Sequence, residues 1–230
     1  MSLKLYSNAF NSAGERVRIA LELKQLGYQY ISIQDLGWDN YARINPQLLL
    51  PTLAVNDDLI VQSSAILEYL EEVHPTPALL PTDPIVRAQA RAFTQVIACE
   101  MHAVDVLRTR QFLKRELNAS KEGIESWTDF WFVKGIETLE DMLQRRSHAT
   151  PFAYGPEPGW AELFLIPQLR KSVQRYFQDI SAYPLVADIY ERCLVHPAFI
   201  AAAPESQPDH ERALANITIR GRNDEPPPVI

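Results

Sequence analysis

Over the first eighty residues, short apolar runs rich in β-branched and aromatic side chains alternate with stretches of helical period. Residues 3–7 read as a strand, 12–26 as a helix and 28–33 as a second strand. Residues 52–55 and 59–61 flank the turn Asn56-Asp57-Asp58, and 63–73 resume the helical period. The first helix carries the clearest signals. Ser12-Ala13-Gly14-Glu15 spells a capping box, pairing a serine hydroxyl and a glutamate across the first turn, and Gly27 supplies a stop. Val17, Ala20 and Leu21 share one face, with Ile19, Leu23 and Leu26 beside it; Lys24 interrupts the stripe and marks its polar edge.

Strand, helix, strand, hairpin and helix in that order predict a mixed sheet with helices packed on it. Pro75, Pro77, Pro81 and Pro84 then fall within ten positions, which excludes a helix interior. Beyond them only helical patterns occur, over 85–117, 121–145, 160–177 and 183–194. Breaks fall at Asn118-Ala119-Ser120, at 151–158 and at Tyr183-Pro184. The expected organisation is an α/β domain over 1–80, a linker over 81–84, an all-helical domain over 85–204 and a tail over 205–230. Within that Pro- and charge-rich tail, Ile217-Thr218-Ile219 is the stretch suited to docking.

Composition narrows the function classes. The 230 residues carry a net charge of −7, which argues against a protein that coats nucleic acid, because phosphate binding needs a basic face. No run approaches the roughly 20 apolar residues that span a bilayer, and MSLKLYSNAF lacks the layout of a signal peptide. Cys99 and Cys193 are too few and too distant for a disulfide framework or a Cys-rich zinc site, and five histidines show no ligand spacing. The expectation is a soluble, acidic, cytoplasmic protein without a metal, a nucleic-acid partner or a membrane partner.

Candidate chemistry gathers in the first domain. Asn11-Ser12-Ala13-Gly14 leads from a strand into a helix, Leu50-Pro51 immediately precedes a strand, and Gln62-Ser63 opens another helix directly after one. Each helix start offers unpaired N–H groups and the positive end of a dipole, a setting for an anion. Pro51 lacks an N–H and biases Leu50 toward extended backbone, so Leu50 is placed to pair with something extended. A peptide with a carboxylate at one end and a thiol in its middle matches this layout. Its thiol, with an ordinary pKa near 8.5, would be driven toward thiolate at the start of the first helix.

Arg16-Val17-Arg18-Ile19-Ala20-Leu21, Asn45-Pro46, Pro51-Thr52-Leu53, Gln62-Ser63 and residues 66–72 resemble the cytosolic glutathione transferases. So do Leu79-Leu80-Pro81-Thr82-Asp83-Pro84, residues 97–102, Leu107-Arg108, Ile166-Pro167-Gln168 with Arg175, and Tyr183-Pro184. The resemblance covers roughly residues 3 to 208 and is greatest to the zeta class, the maleylacetoacetate and maleylpyruvate isomerases. It implies a thioredoxin-like, glutathione-binding α/β domain at the N-terminus, an all-α C-terminal domain, glutathione as co-substrate and a homodimer. It implies Asn11 and Ser12 as the catalytic pair at the sulfur, Leu50 and Pro51 along the tripeptide, and Gln62 and Ser63 at its carboxylate. Arg175, Arg108 and His102 would then face the carboxylates of a maleyl-type diacid, which Arg grips with parallel bonds.

The chain also departs from the zeta pattern. Asn11-Ser12-Ala13-Gly14 stands where the class has two serines, a cysteine and a serine, and Leu48-Leu49 replaces a Lys-Gln pair, removing donors for the glycine end of glutathione. Thiolate addition with cis–trans isomerisation, or conjugation of an electrophile, is the leading expectation. A non-catalytic binding module, or a transferase acting on aromatic electrophiles, are the alternatives. Arg16 and Arg18 read as partners of acidic neighbours, Cys99 and Cys193 as inert core residues, and Trp127, Phe130, Trp131 and Phe132 as core or interface packing. Gly159 and Glu162 occupy the places of the family's Ser/Thr-x-x-Asp cap and predict a weaker helix start.

Overall fold

The structure, a computed structural model, describes residues 2–175 and 178–215. They divide into two compact units, 2–79 with 195–215, and 80–194.

In the first unit, β1 (Leu3–Ser7), α1 (Ser12–Leu23) and β2 (Gln29–Ser32) form two parallel strands joined by a helix. Two short helices follow, α2 (Ile33–Leu36) and α3 (Trp38–Ala42), neither of which has a periodicity long enough to be read from sequence. The hairpin β3 (Thr52–Val55) and β4 (Asp58–Val61) leads into α4 (Ser63–Val73). The sheet order is β2-β1-β3-β4, with β3 antiparallel to both neighbours and Leu5 opposite Leu53. Leu3 and Leu5, Leu53 and Val55, Val17, Ala20 and Leu21, and Ile66, Leu67 and Leu70 make the core. α1 packs on α4 and on α10 (Pro197–Ala202), so residues after 194 complete this unit.

Several local readings are corrected. The cap of α1 is Asn11, whose Oδ1 accepts from the Gly14 N–H at 2.5 Å; Ser12 is the first helical residue. The helix ends at Leu23 rather than at Leu26, short of the Gly27 stop, and Lys24 is no polar edge. It is buried, and its Nζ lies 2.8 Å from Glu71, 2.6 Å from the His74 carbonyl and 2.8 Å from that of Pro77. The long aliphatic stem lets a cation fold inward when carbonyls and a carboxylate await it.

In the second unit, Asp83 caps α5 (Pro84–Gln95) by accepting from the Ile85 and Val86 N–H groups, with Pro84 at the first helical position. The single helix expected over 85–117 is broken. A π-helical turn, Val96–His102, follows α5, and α6 (Leu107–Arg115) begins only after residues 103–106. Met101 of that turn packs against α7 (Lys121–Gln144), where Gly135 sits so close that a Cβ on it would fall 2.3 Å from Met101 Cγ. α8 (Trp160–Leu169), a second π-helical turn (Arg170–Arg175) and α9 (Pro184–Leu194) complete the unit. Glu162 receives the Gly159 and Ala153 N–H groups at 2.8 and 2.7 Å, so its carboxylate does the capping that Gly159 cannot.

Of the four clustered aromatics, Phe132 belongs to the core, whereas Phe130 is 54% exposed. Cys193 is buried as expected, but Cys99 is exposed. The stretch 205–230 is not uniformly a tail. Residues 204–206 form a 3-10 turn and 210–215 a short helix in the first unit; Ile217-Thr218-Ile219 lies outside the described residues. Among the described residues, no helix is long and apolar enough to cross a membrane, and no group of three or more His, Cys, Asp or Glu side chains is placed to hold a metal ion.

Candidate active site

The loop from β1 into α1 is shaped from within. Ser7 is buried, and a Cβ on Gly14 would fall 2.1 Å from its Oγ and 2.6 Å from Asn11 Oδ1, so glycine is the residue that fits. That close approach lets the Gly14 N–H reach the Asn11 side chain. Because the N–H is a donor, the atom facing it is the carboxamide oxygen, and the Asn11 Nδ2 is turned the other way. Asn11 thereby caps with one end and presents two N–H bonds with the other. Ser12, at the first helical position, is half-buried beside it.

The start of α4 is built differently. Gln62 has φ 71° and ψ 119°, a left-handed conformation unusual for a residue with a side chain, and it makes no capping bond. Backbone strain of this kind clusters at active sites and ligand clamps. Ser63 is the first helical residue; it is buried, and its Oγ accepts from Arg16 Nη1 at 3.4 Å. Arg16 thus spans from the first turn of α1 to the first residue of α4. Arg18 departs from expectation more sharply. Fully buried, it pairs with carbonyls rather than acidic side chains: Ala202 at 2.8 Å, Ala9 at 3.1 Å and Asn8 at 3.3 Å.

The Leu50–Pro51 peptide bond is cis. Just before it, the Leu49 carbonyl accepts from Tyr41 Oη at 2.7 Å and Asn45 Nδ2 at 2.8 Å, and the Thr52 hydroxyl joins the same buried group. Burial raises the Tyr41 pKa, which keeps its hydroxyl protonated as a donor. This network sets the loop on which Leu50 sits. Gln47, unremarked in the sequence, reaches Gln62 side chain to side chain at 3.0 Å and brings a polar group to the region where Leu48-Leu49 removed two.

Asn11, Ser12, Gln62 and Ser63 therefore all lie at helix starts of the first unit, with Leu50 and Pro51 at the entry to β3. The remaining candidates belong to the second unit. His102 ends the first π-helical turn and is half-buried, Arg108 is exposed in the first turn of α6, and Arg175 ends the second π-helical turn. Asp105 ties these segments together: buried between His102 and Arg108, it takes Lys171 Nζ from the turn that carries Arg175, and the Thr128 hydroxyl at 3.2 Å. Neither Asp105 nor Lys171 was legible as a partner in the sequence, because their 66-residue separation has no local signature.

Comparison with known proteins settles the family. Residues 5–78 match the family model of the glutathione S-transferase N-terminal domain. A maleylpyruvate isomerase of Ralstonia is 34% identical over 212 residues, covering 90% of this chain and 99% of the relative. The chain belongs to the glutathione transferase family. Its relatives cluster in the zeta class. The holo structure of a maleylpyruvate isomerase, described as a bacterial zeta-class glutathione transferase, superposes with a TM-score of 0.84 at 33% identity, covering 90% of this chain and 99% of that one. A maleylacetoacetate isomerase from Methylobacterium extorquens, solved with malonate and glutathione, gives a TM-score of 0.83 at 35% identity over 89% of this chain and 98% of that one. The thioredoxin-like first domain and helical second part of this transferase agree with the fold expected from the sequence.

Proposed function

We propose that the protein is a glutathione-dependent isomerase of the zeta type, acting on a maleyl-type diacid. The direction of the Asn11 carboxamide carries this reading. An amide capped through its oxygen offers N–H donors at the positive end of α1, and both features favour a thiolate over a thiol. The Ser12 hydroxyl, at the same helix start, is the second donor candidate. Gln62 and Ser63, with the amides that open α4, bind a carboxylate, and Leu50 pairs backbone to backbone beside Pro51. These residues fit glutathione in their order and chemistry. When bound, it supplies an ionised sulfur that adds to the activated double bond and leaves after rotation about the resulting single bond. The protein's own part is to hold that sulfur ionised and to fix the tripeptide at its two ends, with Gln47 compensating in part for Leu48 and Leu49.

The diacid calls for cations, and Arg175, Arg108 and His102 of the second unit are the candidates. Glutathione conjugation of an electrophile would use the same residues of the first unit. A homodimer working in the cytoplasm is the further expectation carried by the family, checked by sedimentation and cell fractionation.

Calorimetric titration with glutathione tests the reading at its root: absence of heat at several millimolar removes it. Conversion of maleylacetoacetate or maleylpyruvate then separates isomerase from conjugating activity. Arg175→Ala is expected to raise KM for the diacid about tenfold or more, the worth of a charged hydrogen bond; unchanged kinetics would reject the assignment of Arg175.

A further inference from the structure

The three residues that link β1 to Asn11 are gripped from two sides, by Arg18 of α1 and by a carboxylate 200 positions along the chain. Ala9, fully buried, donates its N–H to Asp209 Oδ2 at 3.3 Å and gives its carbonyl to Arg18 Nη2 at 3.1 Å. Both backbone groups of one residue are thus committed, one to an anion and one to a cation. Neither anchor is loose. Arg18 is 0% exposed and its Nε donates to the Ala202 carbonyl of α10 at 2.8 Å. Asp209 is 1% exposed and also accepts from Ser32 Oγ at 2.7 Å and Tyr30 Oη at 3.0 Å, both residues of β2. Burial raises the Tyr30 pKa, so that hydroxyl stays a donor. The next residue on each side touches as well: the Phe10 ring lies 5.2 Å from the ring of His210.

A buried carboxylate is costly unless its oxygens are filled, and removing it strands every donor aimed at it. Here the stranded donor is the backbone N–H two residues before Asn11. Inside the loop itself, the Asn11 N–H to the Asn8 carbonyl (3.1 Å) and the Phe10 N–H to Asn8 Oδ1 (3.1 Å) fix the turn's shape but not its placement on the sheet. Placement comes from Ala9. Sites that stabilise a developing or resident charge tolerate displacements of only about 0.5 Å.

We propose that Asp209 is a positioning residue for the thiolate site: through Ala9 it holds the Asn11 carboxamide at the place where it meets the sulfur, with Arg18 as the opposing half of the clamp. The inference rests on the proposed function in one respect only, that a glutathione sulfur lies at Asn11. Asp209 itself reaches no ligand in this scheme.

The test compares wild type with Asp209→Ala, Asp209→Asn and Tyr30→Phe. In the free protein, amide hydrogen exchange at Ala9 and Gly14 is expected to quicken about tenfold in Asp209→Ala relative to the core amide of Leu53, since release of one hydrogen bond is worth about that factor. With glutathione bound, the thiolate absorbance titration is expected to shift upward by about one pH unit and kcat to fall about tenfold, with KM for glutathione within about threefold. Asn retains an acceptor for Ala9 and is expected to restore both. Tyr30→Phe, which removes one bond to Asp209 and leaves the carboxylate in place, covers the case in which Ala fails to fold; it is expected to shift the titration in the same direction by a smaller amount.

A lowered melting temperature with exchange at Gly14 and thiol titration unmoved, in Asp209→Ala or in Tyr30→Phe, would make Asp209 merely structural and overturn the inference alone. Wild type that neither binds nor ionises glutathione overturns the proposed function and this inference together.

Discussion

The two helix starts of the first unit solve the same problem in opposite ways. At α1, a side chain satisfies a helix amide internally: Asn11 Oδ1 takes the Gly14 N–H, and what faces outward is the carboxamide nitrogen. At α4, no side chain takes an amide; Gln62 is twisted into a left-handed conformation and Ser63 is met from below by Arg16. A capped start keeps the dipole and swaps the orphan amides for a chosen donor, which suits tuning the ionisation of a sulfur. An uncapped start keeps the amides themselves, which suits gripping a carboxylate that is already ionised.

The sharpest way to break this contrast is Asn11→Asp. Aspartate caps as well as asparagine, so stability is expected to hold within about 0.5 kcal/mol. The outward donors, however, become a second carboxylate oxygen, and turnover is expected to fall about 100-fold, the usual loss for one donor at a charged centre. Retained kcat would show that the sulfur is met elsewhere. Next in size is Gly14→Ala, whose Cβ has no room between Ser7 and Asn11; urea unfolding is expected to show a loss of about 2 kcal/mol. A fully stable variant would contradict the tight loop.

Ser63→Ala probes the other helix start. KM for glutathione is expected to rise about tenfold with kcat unchanged, because a carboxylate far from the reacting atoms is held equally in ground and transition states. A fall in kcat instead would place Ser63 at the chemistry. The smallest effect comes from a third start, that of α8. Burial raises the Glu162 pKa above its ordinary 4.5 despite two N–H donors. Above pH 4.5 the unfolded chain releases this proton while the native state still binds it, so rising pH lowers stability until the folded-state pKa is passed. Glu162→Gln is expected to remove that slope above pH 4.5, read from urea midpoints, although it costs about 1 kcal/mol overall by leaving one amide without an acceptor. An unchanged slope would assign it to other groups.

Periodicity and punctuation made the first unit's strands, α1 and α4 legible, since each has a full apolar repeat with a marked start. The break after Gln95 was illegible for a physical reason: apolar residues continue at helical spacing through 96–102, and the wider turn packs Met101 against Gly135 of another helix, a contact with no local signature. Capping failed by one residue. Ser12 and Asn11 are both good caps, and the Ser-x-x-Glu spacing pointed to Ser12, whereas the geometry turned on the missing Cβ of Gly14. Arg18 and Lys24 were misread because their partners are set by the tertiary fold: Arg18 bonds to carbonyls, and Lys24 meets carbonyls and the Glu71 carboxylate of another helix.

The first unit is discontinuous in sequence, and this has a consequence for how a newly made chain matures. A ribosome exposes residues 1–79 early, yet Arg18 then has no Ala202 carbonyl and Ala9 no Asp209 carboxylate. The loop that leads into α1 lacks both of these anchors until the intervening helices have been made.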